Sequence, residues 1–277
     1  MTRAPAPRRR SGRTTGRAVL IAVLSTVVVF GAIGWTVVNA PGWPLVQREF
    51  LNAAVFADAL PESIARFRTN VQLFLIAEVL ILGFGLVLAV LRSLPGPVFF
   101  PIRALATAYV DVFRALPGIL VIYVLGFGIP ILRIPGVPRD PFFWGVVALT
   151  LLYSAYVSEV YRAGIESVHP SQEAAARSLG LSRAQALRFV ILPQAVRRVV
   201  PPLLNDFIGL QKDTVLVSFI GVVEVFRIAT IKQIGNFNFT PYLATALIFI
   251  VITIPLARLT DWLVARDKRN QARGGLR

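Results

Sequence analysis

The sequence predicts an all-α integral membrane protein with about six transmembrane helices. Its 277 residues have a mean hydropathy of +0.69, and 56% of them are hydrophobic. Only 16% are charged, whereas an ordinary soluble domain carries about 25%. Several apolar runs have the length of about 20 residues that a helix needs to cross a hydrocarbon core of about 30 Å.

Six such runs are the predicted spans. The first, residues 18–39, contains no charge and is too long for the core of a signal peptide. No small-residue cleavage site follows it closely, so we expect this helix to be retained. The other predicted spans contain charged residues and cover residues 71–91, 104–129, 142–161, 205–226 and 241–263.

The net charge of +15 is distributed unevenly between the two sides of these spans. With the N-terminus inside, the inner segments carry +16, the outer segments +3 and the spans −4. Lys and Arg near span ends are retained on the cytoplasmic side, so both termini are predicted to be cytoplasmic. Residues 1–17 and 264–277 are then basic cytoplasmic tails. The same basic excess also leaves nucleic-acid binding open at this point.

The outer segment, residues 40–70, is predicted to be extracytoplasmic. It contains Trp43, Pro44 and an amphipathic stretch at Ile64–Phe67, which favours an interfacial helix over a separate domain.

Two residue counts exclude several kinds of chemistry. The absence of cysteine excludes a disulfide framework, a cysteine zinc site, an iron–sulfur cluster and thiol catalysis. The single histidine, His169, excludes a multi-histidine metal site. We therefore expect this chain to bind no metal or cofactor of its own.

The segment between predicted spans four and five has the pattern of two short helices joined by a turn. Ser171 is a suitable N-cap and Gly180 a suitable C′ residue for the first helix, where a Cβ is expected to clash. Ser182 and Gln185 form a capping box for the second helix, which is expected to end at Pro193.

This pattern is also that of a DNA-binding helix-turn-helix. Its second helix, however, presents Leu187 and Phe189–Leu192 where polar base-reading side chains should stand, and membrane spans fix the unit at both ends. No nucleic-acid partner is therefore predicted. From the residues alone, a helix pair lying on the bilayer surface remains open.

The segment resembles the EAA loop of ABC importer permeases, whose pattern is EAA, a Gly and then I-x-L-P. Ala174–Ala176, Gly180 and Ile191–Pro193 occupy those places. Other segments resemble, in the same order, the histidine-glutamine-glutamate permease-like branch of that family, which imports polar amino acids. They are Tyr109–Pro117, Ser154–Val168, Pro202–Asn205 and Lys212–Thr214, and the resemblance covers roughly residues 70–265.

The chain departs from the family pattern at several places. Glu173 lies one residue before Ala174, which stands where the family has the Glu of EAA, so Glu173 projects about 100° away around the helix. Ala115-Leu116 replaces the usual Gly-Thr, and Val215 replaces a Ser. The span at residues 18–39 is an addition to the five-helix core.

The resemblance implies a type I ABC importer permease fold, with a five-helix core at residues 71–263 and a cytoplasmic coupling loop at residues 169–195. It implies an ATP-driven importer of polar amino acids that works by alternating access in a bacterial plasma membrane. This chain would be a transport subunit and not an enzyme, since it lacks the G-x-x-x-x-G-K-[ST] phosphate loop.

Three protein partners follow from the resemblance, besides the lipid bilayer. They are an ABC ATPase dimer that holds ATP and Mg, an extracytoplasmic amino-acid-binding protein, and a second permease subunit, identical or paralogous. The residues expected to act in the coupling loop are Glu173, Ala174, Ala175, Ala176, Arg177, Gly180, Ile191 and Pro193. Arg177 and Arg183 would anchor to carboxylates of the ATPase or remain in contact with solvent and lipid headgroups.

Two alternatives stay open. One is a permease of the same architecture for another small solute, and the other is an ATP-independent channel or a membrane enzyme. The sequence does not select the amino acid.

Charged residues inside spans are candidates for the translocation path or gate, since each costs about 2.5–3.5 kcal/mol at a helix centre even on the lower scales. Glu78 has no basic neighbour at helical spacing and is the strongest single candidate for facing a polar path. Lys212 and Asp213 are adjacent, so each is expected to meet a partner on another helix. The full candidate set is Glu78, Asp111, Arg114, Pro117, Glu159, Lys212, Asp213 and Thr214.

Two local pairs and one break are also expected. Asp111 and Arg114, like Glu159 and Arg162, are three residues apart on a helix face, so each pair is expected to neutralise itself locally. Pro117-Gly118 should interrupt the helix, either as a simple kink or as a break that lines a cavity.

Overall fold

The computed structural model describes residues 16–274. Within that range, it leaves out the side chains of Arg183, Asn236, Asp267, Lys268, Asn270 and residues 271–274. Residues 1–15 of the predicted N-terminal tail and residues 275–277 of the C-terminal tail lie outside the described residues, as does the side chain of Arg183.

The described residues form helices joined by turns, and no strand occurs among them. The chain divides into a first unit, Met1–Asn52, and a second, Ala53–Arg277. The first contains α1 (Gly16–Val38), which is exposed along its whole length, and α2 (Trp43–Phe50). Helix α1 coincides with the predicted first span within two residues at its start and one at its end.

The second unit begins with the 40-residue helix α3 (Ala53–Arg92). After α3, the chain forms a helix that is interrupted near residue 117, then a long helix, and then a loop of two short helices. The remaining elements are α4 (Phe100–Ala115), α5 (Gly118–Tyr123), a π-helix (Val124–Gly128), α6 (Ile129–Ile131), α7 (Pro141–Glu166), α8 (Pro170–Ser178), α9 (Arg183–Ala186), a second π-helix (Leu187–Ile191), α10 (Leu192–Asp213), a 3₁₀ helix (Thr214–Ile220), α11 (Val225–Asn236) and α12 (Thr240–Gly274).

Helix α3 starts well before the predicted span at residue 71. The stretch Ile64–Phe67, expected to belong to an interfacial helix, is helical and forms part of α3, which continues into the predicted span. Ala59, Ser63 and Asn70 recur at helical spacing and are buried, so the first half of α3 has a face that packs within the second unit.

The predicted span at residues 104–129 is two helices with a sharp corner between them. Helices α4 and α5 meet at an angle of 108°. Leu116 is extended, with ψ 135°, because the residue before a proline avoids the helical region. Pro117 is therefore the site of a true break.

The predicted span at residues 205–226 is also interrupted. It covers the end of α10, the 3₁₀ helix and the first residues of α11, and the helices on the two sides of the break meet at 49°. Gly221 ends the 3₁₀ helix with φ +98°, a conformation that favours glycine.

Four described helices are long and apolar enough to cross a membrane, and the number rises to six if each bent pair is one span. The buried core lies around α3 and α7, with Leu73, Ile81 and Leu149 each 1% exposed or less. Helices α3 and α7 approach closely at Gly85, where a Cβ would lie 2.8 Å from Val157 Cγ1. A larger side chain at Gly85 would push these two central helices apart.

Candidate functional site

The loop after α7 begins with the nine-residue helix α8. Its N-cap is His169, whose Nδ1 accepts a hydrogen bond from the Ser171 N–H at 3.2 Å. The expectation that Ser171 is the N-cap is therefore wrong. Pro170 takes the first helical position, which its fixed φ suits, and this places the cap one residue before the proline.

The turn after α8 is a Schellman motif. The Gly180 N–H donates to the Arg177 carbonyl at 3.0 Å, and the Leu181 N–H donates to the Ala176 carbonyl at 3.2 Å. Gly180 has φ +87°, so its predicted position after the helix is confirmed. The expected Cβ clash is wrong, since a Cβ there would meet nothing within 4 Å. Glycine is favoured at this position by its backbone conformation alone.

The second half of the loop begins with the predicted capping box. The Ser182 N–H donates to Gln185 Oε1 at 2.9 Å, and the Gln185 N–H donates to Ser182 Oγ at 3.3 Å. The helix does not end at Pro193 as expected. A π-helix at Leu187–Ile191 joins α9 to α10, and Pro193 lies in the first turn of α10. The wider π turn accommodates the missing proline N–H without ending the helix.

The alanines of the loop do not share one face. Ala174 and Ala175 are exposed, whereas Ala176 is 4% exposed and packs inward. Glu173 and Ile191 line a cavity of about 390 Å³ beneath α8, so Glu173 lies on a different side from Ala174. Ala174, which occupies the position of the family's Glu, is therefore exposed. Glu173, the acid that this chain has instead, lines the cavity inside the loop.

The tip of the loop exposes apolar side chains. Leu179 is 84% exposed beside Gly180, and Phe189 is 63% exposed on the π-helix. Arg177 is also exposed. The side chain of Arg183 lies outside the described residues, so its expected contact with an ATPase carboxylate stays a prediction.

The loop is held at its base by α7 and α10. These helices approach so closely at Gly164 that a Cβ there would overlap Val199. The guanidinium of Arg198 on α10 also donates to the Ser167 carbonyl at the end of α7. The base of the loop is therefore anchored to both helices.

Three arginines surround Glu159 on α7. Its Oε1 lies 2.6 Å from Arg92 Nη1 and 3.6 Å from Arg114 Nη1, and its Oε2 lies 2.8 Å from Arg162 Nη2. Arg162 also pairs with Glu166 at 2.8 Å. The expected Glu159–Arg162 pair is thus confirmed as part of a larger network.

The expected Asp111–Arg114 pair is not formed. The long side chain of Arg114 instead reaches α7, where it meets Glu159 and lies 5.9 Å from the ring centroid of Tyr156. Asp111 has no ion pair among the described residues. It lines an open groove of about 760 Å³ together with Arg103.

A second polar cluster lies between α3, α7 and α10. The Tyr153 hydroxyl donates to Asp213 Oδ2 at 2.8 Å, so Asp213 meets a partner on another helix as expected. Glu78 and Asp206 interact electrostatically, and Glu78 also interacts with Tyr161. Glu78 therefore lies in the same region of the bundle as Asp206 and Tyr161.

Two polar groups in this region lack a hydrogen bond or an ion pair within the described part of the chain. Asp206 Oδ2 is buried without a hydrogen bond. The Lys212 side chain is exposed, and no ion pair of it occurs among the described residues, so its expected partner on another helix is not found.

Four polar residues of the interior, Asn70, Arg92, Asp206 and Glu224, were absent from the candidate set, and two of them contact Thr214 or each other. Thr214 Oγ1 accepts from Asn70 Nδ2 at 3.0 Å, and Glu224 accepts from the same nitrogen at 2.9 Å. Asp206 and Glu224 are acids inside a predicted span, so a search of every intramembrane acid would have included them. Asn70 and Arg92 could not be found in this way, because they lie just outside the predicted span at residues 71–91, where polar residues are ordinary.

These features define a class: a polytopic helical membrane protein with charged and polar residues inside its bundle and an exposed helix–turn–helix loop. Residues 81–269 match the family described as binding-protein-dependent transport system inner membrane component. The chain belongs to this family, which confirms the resemblance drawn from its sequence motifs.

Curated relatives and solved structures agree with this assignment. The probable glutamine ABC transporter permease protein GlnM of Bacillus subtilis (strain 168) is 37% identical over 187 residues, which are 67% of this chain and 84% of the relative. The arginine transport system permease protein ArtQ of the same organism is 33% identical over 67% of this chain and 85% of its own length.

Two solved structures share the fold. A crystal structure of an amino acid ABC transporter with histidines matches with a TM-score of 0.71 and 32% identity, covering 78% of this chain and 98% of that chain. The MetNI methionine ABC transporter in an inward-facing conformation matches with a TM-score of 0.61 and 17% identity, covering 74% and 95%. The predicted all-α permease fold is confirmed.

Proposed function

We propose that this chain is the permease subunit of an ATP-driven ABC importer that carries polar amino acids across a bacterial plasma membrane. Membership in the binding-protein-dependent transport family supports the transport role. The amino-acid class is supported by the glutamine and arginine permeases among its relatives and by the amino acid transporter that it matches at 32% identity.

The observation that carries the proposal is the geometry of the α8–α9 loop. It is exposed at its tip, where Leu179 and Phe189 present apolar surface, and it is tied at its base to two bundle helices. A loop with this combination suits force transfer from a docked ATPase to the helices that line a path. The contact of α7 and α10 at Gly164 would carry that displacement into the bundle.

The coupling role is assigned to the residues of the loop according to their positions. Ala174 and Ala175 offer a smooth exposed surface for close approach, and Arg177 offers a cation for a partner carboxylate. Glu173, Ile191 and Pro193 would instead support the loop from within. ATP and Mg would be bound by the partner ATPase dimer and not by this chain.

The translocation path would run along the polar interior. Glu78 on α3, and Asp213 on α10 with its hydrogen-bond partner Tyr153 on α7, supply polar groups inside the bundle. Glu159 and its arginines would stabilise the helices around the break at Pro117. A second permease subunit, identical or paralogous, would complete the path, and an extracytoplasmic binding protein would deliver the substrate.

Orientation is proposed from the charge distribution. The inner segments carry +16 and the outer segments +3 when both termini face the cytoplasm. This orientation places the α8–α9 loop on the side where the ATPase lies. Reporter fusions at the two termini and after residue 136 test it: a fluorescent protein should fold at both termini, and alkaline phosphatase should be active only in the α6–α7 turn.

The proposal is tested with the ATPase and the binding protein that we expect neighbouring genes to encode. The purified binding protein should retain a polar amino acid, and the loaded form should stimulate ATP hydrolysis by the reconstituted complex. If it retains a different class of solute, the permease has the alternative substrate. Solute flux that persists without a functional ATPase would support a channel and contradict the proposed importer.

A further inference from the structure

A buried hydrogen-bonded cluster joins α3 to the start of α11. The Asn70 side-chain nitrogen donates to Glu224 Oε2 at 2.9 Å and to Thr214 Oγ1 at 3.0 Å, and Asn70 Oδ1 accepts from the Val225 N–H at 3.1 Å. Asn70, Thr214 and Glu224 are each 2% exposed or less. Both N–H donors and the carbonyl oxygen of the Asn70 amide are thus engaged.

Glu224 in turn caps α11. Its carboxylate accepts from the Phe226 N–H at 2.9 Å and from the Arg227 N–H at 2.7 Å. A negative charge at a helix N-terminus is favourable because it opposes the positive end of the helix dipole. No cation pairs with Glu224 among the described residues, so Asn70 is the side chain that completes the solvation of this buried carboxylate.

The same two helices are joined at a second point. Lys232 Nζ lies 2.7 Å from Asp58 Oδ2 and 3.3 Å from Glu62 Oε2. Lys232 is seven residues beyond Val225, a distance of about 10 Å along α11. The contacts at Asn70 and at Lys232 therefore hold α11 against the first half of α3 at two points that are separated along the axis of α11.

Thr214 is the first residue of the 3₁₀ helix that connects α10 to α11. Its neighbour Asp213 accepts a hydrogen bond from Tyr153 in the polar interior. Val217 packs against Gly145 of α7, where a Cβ would lie 2.9 Å from Val217 Cγ1. A 3₁₀ run of seven residues has poor intrinsic hydrogen-bond geometry, so its position depends on such external contacts.

We propose that Asn70 and Glu224 are positioning residues for transport. Together they fix the start of the 3₁₀ helix, and through it they hold Asp213 beside Tyr153 in the polar interior. This inference rests on the proposed function, because the position of Asp213 matters for transport only if the polar interior is the path.

The test uses the complete complex with its ATPase and binding protein in proteoliposomes. Asn70→Leu removes all three hydrogen bonds of the amide, and Glu224→Gln removes one acceptor. Uptake per folded complex should fall about tenfold in each, because a buried polar partner is left unsatisfied and the segment moves. ATP hydrolysis should continue, so the loss appears as uncoupling.

A double variant separates positioning from simple stability. In Asn70→Asp/Glu224→Gln the donor and acceptor roles are exchanged, so a hydrogen bond between the two side chains is possible again. We expect this double variant to recover at least half of the wild-type uptake. The control is Ser63→Ala on the same helix, since Ser63 Oγ is buried without a hydrogen-bond partner among the described residues. That variant should transport like wild type.

A labelling experiment reports the position of the 3₁₀ helix itself. The natural chain has no cysteine, so Val215→Cys introduces a single thiol in this segment. Its modification by a membrane-permeant maleimide, below the melting temperature, should be several-fold faster in the Asn70→Leu background than in the Ser63→Ala background.

Three results would overturn the inference. They are unchanged uptake per folded complex in Asn70→Leu, a double variant no better than the single variants, and unchanged labelling of the 215 thiol. A wild-type complex without ATP-driven uptake would overturn the proposed function and the inference with it. Wild-type uptake together with an unimpaired Asn70→Leu variant would overturn the inference alone.

Discussion

Arg92 at the end of α3 and Glu159 in the C-terminal third of α7 form an ion pair, with Nη1 and Oε1 2.6 Å apart. The side chains of Arg92 and Glu159 are 10% and 18% exposed, so the pair is largely shielded from water. It ties the two central helices together at a point where Arg162 and Arg114 also converge.

The two partners of this pair should differ in their mutational cost. Glu159→Gln leaves Arg92 without a carboxylate and should destabilise the protein by about 2 kcal/mol, whereas Arg92→Gln leaves Glu159 still paired with Arg162 and should cost about half as much. Thermal melting of the purified protein in detergent checks the order. Equal losses, or a larger loss for Arg92→Gln, would contradict the network described for Glu159.

The positive φ of Gly180 predicts a graded response to substitution. Gly180→Val should cost about 1–2 kcal/mol in the loop, because a β-branched residue is strained at φ +87°, while Gly180→Asn should cost less. The protein should still insert, but ATP hydrolysis should be uncoupled from uptake in the valine variant. Comparing uptake per ATP in the two variants measures this. Normal coupling in Gly180→Val would show that the turn is not needed for coupling.

The exposed Leu179 predicts a docking defect without a folding defect. Leu179→Asp should leave the melting temperature unchanged, since the side chain is 84% exposed, but should reduce the amount of ATPase that copurifies. Val98→Asp is the matched control, because Val98 is 83% exposed in the turn between α3 and α4. If both variants retained the ATPase equally, Leu179 would not belong to the docking surface.

The close approach at Gly164 predicts a rescue. Gly164→Ala should destabilise the protein by about 1–3 kcal/mol because its Cβ overlaps Val199, and Val199→Ala in the same chain should recover much of that loss. The control is Gly83→Ala, where a Cβ meets nothing within 4 Å. The measurement is the melting temperature of the wild type, Gly164→Ala, Gly164→Ala/Val199→Ala and Gly83→Ala. A Gly164→Ala variant as stable as Gly83→Ala would contradict the close contact of α7 and α10 at Gly164.

Local features of the loop could be predicted because they depend on residues close together in sequence. Gly180 follows α8 at the C′ position, and Ser182 and Gln185 bond each other at a spacing of three residues. The cap lies at His169 and not at Ser171 because Pro170 takes the first helical position, so the helix starts two residues earlier than expected. The sequence did not predict that the helix continues past Pro193. A π-helix precedes the proline and leaves room for its missing N–H, and a π-helix has no simple sequence signature.

Contacts between helices could not be predicted in the same way. Arg114 was expected to pair with Asp111 at helical spacing, but its side chain is long enough to reach Glu159 on α7. Asn70 and Glu224 meet because α11 packs along α3, and nothing near either residue in the sequence indicates that packing. The family was identifiable from ordered motifs, whereas the interior network required the folded arrangement.

We propose above that this chain couples ATP hydrolysis by a partner to amino-acid uptake. The most direct measurement is uptake of a radiolabelled amino acid, chosen as the ligand of the binding protein, into proteoliposomes that contain this chain and its ATPase. We expect accumulation that requires both hydrolysable ATP and the loaded binding protein. Equal accumulation with a nonhydrolysable ATP analogue, or without the binding protein, would contradict it.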